Sequence, residues 1–148
     1  MRITEHFSLE ELTQSQTADR LGLDNTPTGE ELEHLIQTAS LMERVRELLN
    51  NKSILVSSGY RSPKVNKAVG GSKGSAHMSG YAVDFICPGF GTPRQICEAL
   101  SASQLVYDQL IWEFGRWVHI SFDPRQRRQN LTIDRDGVRL GFRKEGED

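Results

Sequence analysis

Leu32, Leu35, Ile36, Ala39, Met42, Val45, Leu48 and Leu49 recur at the spacing of one helical stripe. Thr28 and Glu31 stand at capping-box spacing before them, and Asn50-Asn51 follows, so a long core helix is predicted between these signals. The stripe reads as packing, not as a ligand groove. Ser8 and Glu11 repeat the capping spacing with Phe7 before them as a staple, which predicts a short helix ending before Asp24-Asn25-Thr26-Pro27.

Ile54-Leu-Val56, ending at Ser57-Ser-Gly59, and Tyr81 to Ile86 read as buried strands, with a helical turn after Pro63 between them. Thr92 and Pro93 suit a helix cap and first position, so Pro93 to Ser101 should be helical, with Ile96, Cys97, Ala99 and Leu100 turned inward. Gln109–Phe114 and Arg116–Phe122 alternate around Gly115 as a hairpin. Leu131–Ile133 and Val138–Phe142 form another around Asp136-Gly137. Helices first and strands after them predict an α+β fold: a single domain over residues 1–148, with an antiparallel sheet and helices packed on one side.

Length and charge exclude more than they specify. The 148 residues suffice for one domain. The 18 basic and 20 acidic side chains leave a net charge of −2, so no overall field favours nucleic acid or an anionic membrane. Arg125, Arg127 and Arg128 read as a solvated loop rather than a polyanion site. Cys87 and Cys97 alone make no disulfide framework. The start, Met1 to His6, has no apolar signal core, and no run approaches membrane-spanning length; synthesis in the cytoplasm without a signal peptide is expected, as is a monomer.

His77, Asp84 and His119 change the picture. Two imidazoles and one carboxylate can hold zinc while a fourth tetrahedral position stays open for water. His119 alternates with Val118 and Ile120, so it lies on the face opposite the most apolar one, as Ile111 and Glu113 do opposite Leu110, Trp112 and Phe114. Glu113 shares a face with His119 only if the connecting loop has an odd residue count: Phe114-Gly115-Arg116 satisfies this, and a two-residue turn does not. On a shared face Glu113 can take the proton from a zinc-activated water attacking an amide carbonyl and pass it to the leaving amine. The alternative is a surface strand residue paired with Arg116. A closed structural zinc site would want a fourth protein ligand, and Cys87 is the nearest candidate in sequence but falls on the opposite face from Asp84.

Ser75-x-His77-x-x-Gly80-x-Ala82-x-Asp84, followed by Trp117-Val-His119, resembles the D-Ala-D-Ala carboxypeptidases and dipeptidases, zinc peptidases grouped with lysostaphin and hedgehog proteins. Ser57-Ser-Gly59-Tyr60-Arg61-Ser62 looks like that family's substrate-side segment, and the likeness spans roughly residues 30 to 123. The resemblance implies that His77, Asp84 and His119 bind Zn2+, that Arg61 fixes a substrate carbonyl or carboxylate, and that Ser75 donates a hydrogen bond to substrate. It also implies a hedgehog/D,D-peptidase-like fold with the zinc site on the sheet. Many relatives carry an acidic base three places before the last histidine, or a second histidine two places before it; here those positions are Arg116 and Trp117. The hedgehog-like spacing, with glutamate six places before the histidine, fits Glu113, ahead of His6 and Asp123 as the base. The implied activity is hydrolysis of D-amino-acid-containing peptidoglycan stem or D-Ala-D-Ala peptides, as in a bacteriophage endolysin acting on the cell wall. A cytoplasmic D-Ala-D-Ala dipeptidase and a hedgehog-like binding module without turnover are the alternatives.

Overall fold

A computed structural model describes residues 1–143. Helix α1 (Leu9–Thr13) opens on a reciprocal cap: Ser8 Oγ accepts from the Glu11 amide at 3.2 Å, and the Glu11 carboxylate accepts from the Ser8 amide at 2.8 Å. Phe7 is buried beside it. Ser15 then caps a second helix, α2 (Gln16–Leu21), so the single short helix expected here is two, broken at Gln14. Gly22 ends α2 in left-handed backbone.

Helix α3 (Gly29–Leu48) ends where Asn50 and Asn51 both take left-handed backbone, with φ of 61° and 58°. Its buried stripe is Leu35, Thr38, Ala39, Met42, Val45 and Leu49, each at most 1% exposed. Truncating one of its large members would cost about 2–5 kcal/mol. The stripe departs from the apolar pattern: Leu32 and Leu48 are only half-buried, and one position is exchanged outright. Ile36 is 42% exposed, and Thr38 is buried instead because its hydroxyl donates to the Gly80 carbonyl at 2.7 Å.

Backbone contacts divide the chain into two compact units: residues 1–43 with 56–83, and residues 44–55 with residue 84 onward. The first contains α1, α2, most of α3, α4 (Pro63–Ala68) and a 3₁₀ turn (Ala76–Ser79). The second contains α5 (Pro93–Ser101) and β3 (Gln109–Glu113), β4 (Trp117–Ser121), β5 (Gln129–Asp134) and β6 (Gly137–Leu140). Thr92 and Gln95 close a capping box on α5, which buries Ile96, Cys97 and Leu100. With β1 (Leu55–Ser58) and β2 (Ala82–Ile86), the strands make one six-stranded sheet in the order β1-β2-β4-β3-β5-β6. The chain is α+β, and its sheet is mostly antiparallel.

The pairing of β3 with β5 departs from the antiparallel expectation: the two are parallel, Gln109 opposite Gln129 and Glu113 opposite Ile133. The register explains it. Strand β4 ends with Ser121 beside Gln109, and β5 begins with Gln129 beside the same residue, so residues 122–128 pass the start of β3 from one flank to the other. The arginines of that segment hold the passage. Arg127 forks onto buried Asp108 at 2.8 and 2.7 Å, and Arg128 donates to the carbonyls of Ser103 and Leu105 at 2.8 and 3.0 Å with its guanidinium 4.7 Å from the Tyr107 ring centroid. The run Arg125, Arg127 and Arg128 is therefore not simply a solvated loop; two of its three side chains clamp the crossing.

Candidate active site

The first ligand-type residue is fixed by a short loop built for it. Ser75 Oγ accepts from the His77 amide at 3.2 Å and starts the 3₁₀ turn, and Gly80 ends it with φ of 81°. A Cβ at Gly80 would stand 2.5 Å from the Glu31 carbonyl oxygen, so both conformation and space require glycine there. The His77 ring is 1% exposed, and its Nδ1 lies 2.7 Å from the Gly59 carbonyl. A carbonyl can only accept, so Nδ1 carries the proton and Nε2 keeps its lone pair for a metal. Gly59 is held in turn: a Cβ there would meet the Leu12 carbonyl oxygen at 2.2 Å, and the Tyr60 amide donates to that same oxygen at 2.8 Å.

Asp84 lies in β2 and His119 in β4, with His119 Nδ1 2.9 Å from Asp84 Oδ1. His77, Asp84 and His119 each offer one ligand atom, all within 4.8 Å of one another, and all three residues are buried. Two imidazoles with one carboxylate suit zinc, and three protein ligands leave a position for water or substrate. The cluster could hold a metal ion.

The β3–β4 connection is the three-residue loop Phe114-Gly115-Arg116, with Glu113 directly opposite Trp117 and Ile111 opposite His119. Ile111, Glu113, Trp117 and His119 therefore share one face. Glu113 Oε1 sits 3.7 Å from His119 Nδ1 on the diagonal of that ladder. This face was expected to be the less apolar one, and it is; it is nonetheless covered, with Ile111, His119 and Ser121 all buried. Phe114, expected on the core face, is 47% exposed because its left-handed backbone (φ 53°) turns it out of the strand.

Arg61 is tied to the same loop as His77. Its amide donates to the His77 carbonyl at 3.1 Å, and its guanidinium stands 3.4 Å from Ser75 Oγ. Ser75 thus serves the His77 turn as a cap and meets Arg61 as well. The other candidates lie in separate networks. His6 Nδ1 is 2.7 Å from Glu43, and Asp123 accepts from Arg125 at 2.9 Å. Cys87 points its thiol at the Lys52 carbonyl, 3.7 Å away, and burial pushes the thiols of Cys87 and Cys97 above their ordinary range, so neither is a ready thiolate.

The residue that sequence reasoning missed is Gly59, whose carbonyl sets the His77 tautomer. The available signal was a glycine closing a strand just ahead of Arg61, a place where backbone approaches backbone.

Comparison with curated proteins gives no match. A family model described as Peptidase M15 matches residues 5–121, a span that contains all three ligand-type residues, Glu113, Arg61 and Ser75. Peptidases of that family are zinc-dependent, which agrees with the buried donor set. With most of its length matched, the chain belongs to the M15 family of zinc peptidases.

Proposed function

We propose that this chain hydrolyses amide bonds in D-amino-acid-containing peptidoglycan peptides, as a carboxypeptidase or endopeptidase of endolysin-like type with a hedgehog/D,D-peptidase-like fold. The observation that carries the reading is the 3.7 Å approach of Glu113 to His119, one member of the donor set, on the face the two share. His77, Asp84 and His119 are the proposed zinc ligands. Zinc, when bound, supplies Lewis acidity toward a carbonyl and makes a water more acidic.

The remaining steps belong to side chains. Glu113 takes a proton from the attacking water and delivers it to the departing amine, so the carboxylate ends as it began. Arg61 offers a planar fork of donors to a carboxylate or to the oxygen that gains charge at the reacting carbonyl, and Ser75 orients Arg61 and adds a hydroxyl. A carboxylate beside the donor set favours turnover over a hedgehog-like binding module. The proposed place of action is the bacterial cell wall, as for a phage lysis or virion-associated enzyme; a dipeptidase acting on free D-Ala-D-Ala is the second substrate class.

Zinc-loaded protein incubated with purified Gram-negative peptidoglycan, with and without a chelator, tests the proposal by the masses of the released fragments. New amine ends only with metal would support it and identify the bond. Intact wall with cleaved free D-Ala-D-Ala would move the substrate to the dipeptide, and no cleavage of either would overturn the peptidase reading for this chain.

A further inference from the structure

We propose that the groove at the β3–β4 turn is a substrate subsite that takes a free carboxylate of the peptide away from the scissile bond; this rests on the peptidase reading above. The groove has a volume of about 580 Å³ and is lined by Phe114, Arg116, Trp117, Asp134 and Arg135. That volume suits a few residues of peptide. Two of its lining residues adjoin the proposed base: Trp117 is the ladder partner of Glu113, and Phe114 is its chain neighbour.

Two observations point to a ligand. Phe114 is a large aromatic, 47% exposed, held in left-handed backbone that β-carbon sterics disfavour. Its amide donates to the Ile133 carbonyl at 2.7 Å, so the turn is pinned and the ring stands 5.5 Å from that of Trp117 as one side of the groove. Exposing an aromatic at a conformational cost is what a prepared contact surface requires.

Charge supplies the second. Asp134 is already satisfied: Oδ2 accepts from Arg139 at 2.5 Å and Oδ1 from the Asp136 amide at 2.9 Å. Asp136 lines an adjoining hollow that shares Phe114, Asp134 and Arg135 with this groove. Arg116 and Arg135 have no carboxylate partner among the described residues, so the groove presents two guanidinium groups beside two aromatic rings. Guanidinium forks match carboxylates, and aromatic faces cover the adjoining peptide planes. With the chain at net −2 the positive charge is local, which favours a small anionic peptide over a polyanion.

The test uses the stem peptide L-Ala-γ-D-Glu-L-Lys-D-Ala-D-Ala in two forms, with the D-glutamate α-carboxylate free or amidated. Cleavage by zinc-loaded protein should show KM about tenfold lower for the free form, the scale of one charge-assisted contact. Arg116→Ala/Arg135→Ala should abolish that preference. In parallel, tryptophan fluorescence of the Glu113→Gln protein is titrated with both peptides, which reads binding without turnover. Tighter binding of the free form that vanishes in Glu113→Gln/Arg116→Ala/Arg135→Ala supports the subsite even if no peptide is cleaved. Equal binding of both forms, or a preference that survives loss of both arginines, overturns it while leaving the peptidase reading intact.

Discussion

Glu113 and His119 sit diagonally across the β3–β4 ladder, Oε1 3.7 Å from Nδ1, because a three-residue turn puts them on one face. With a two-residue turn the same sequence would send them to opposite faces. The proximity separates two roles. Glu113→Gln should keep zinc, measured by metal analysis after dialysis, and lose about 10²–10⁴-fold in kcat. Asp84→Ala should lose metal and activity together. Zinc lost from Glu113→Gln would make Glu113 a ligand, and near-normal turnover would remove it as the base.

Zinc should stabilise the fold itself, because its three proposed ligands are buried in the native state and dispersed in the unfolded chain. At a hundredfold excess over Kd the gain is about 2.7 kcal/mol, or roughly 5–10 °C in Tm for a chain of this size. Differential scanning calorimetry with and without a chelator measures it. A Tm indifferent to zinc would deny that the cluster binds the ion tightly.

Gly59→Ala probes a residue two contacts removed from chemistry. The added methyl meets the Leu12 carbonyl oxygen at 2.2 Å, so the backbone must shift, at a cost of about 2–3 kcal/mol. The shift carries away the carbonyl that holds His77 Nδ1, and zinc affinity should fall about tenfold or more. Wild-type affinity in a folded Gly59→Ala protein would show that His77 needs no such anchor.

Asp108 gives the fold an acid dependence. The Arg127 guanidinium holds its carboxyl well below the usual range, so its contribution is complete above about pH 4 and declines as pH falls through the lowered value. Burial, with Asp108 beside it, pushes Asp123 up; that group favours the folded state below about pH 4, an advantage lost as pH rises through its raised value. Asp108→Asn should therefore cost roughly 2 kcal/mol at pH 7, discounted for the partly exposed Arg127, and progressively less below pH 4. Urea denaturation at pH 7 and pH 3 reads the difference. A penalty that grows with acidity would contradict the assigned direction.

The donor set was legible because ligand chemistry restricts residue types: few stretches offer two histidines and an aspartate with small residues between them. Glu113 was legible only conditionally, since strand parity depends on one loop residue. The buried Thr38 was not legible, because the carbonyl that satisfies it belongs to Gly80, 42 residues along the chain. Nor was the Arg127 fork, whose partner Asp108 lies 19 residues before it. In both cases a polar side chain changes character through a partner that local pattern cannot reveal.

The parallel pairing of β3 with β5 also has a meaning in time. The β3–β4 hairpin closes on a local turn, an event of microseconds. The other flank of β3 is closed by β5, which the chain reaches only through residues 122–128, where Arg127 forks onto Asp108. The strand that carries Glu113 is thus held on one side by a local turn and on the other by a longer, clamped crossing. Weakening a clamp far from the chemistry would free one side of β3 to open and exchange its amides, loosening the carboxylate's aim before the fold itself is lost.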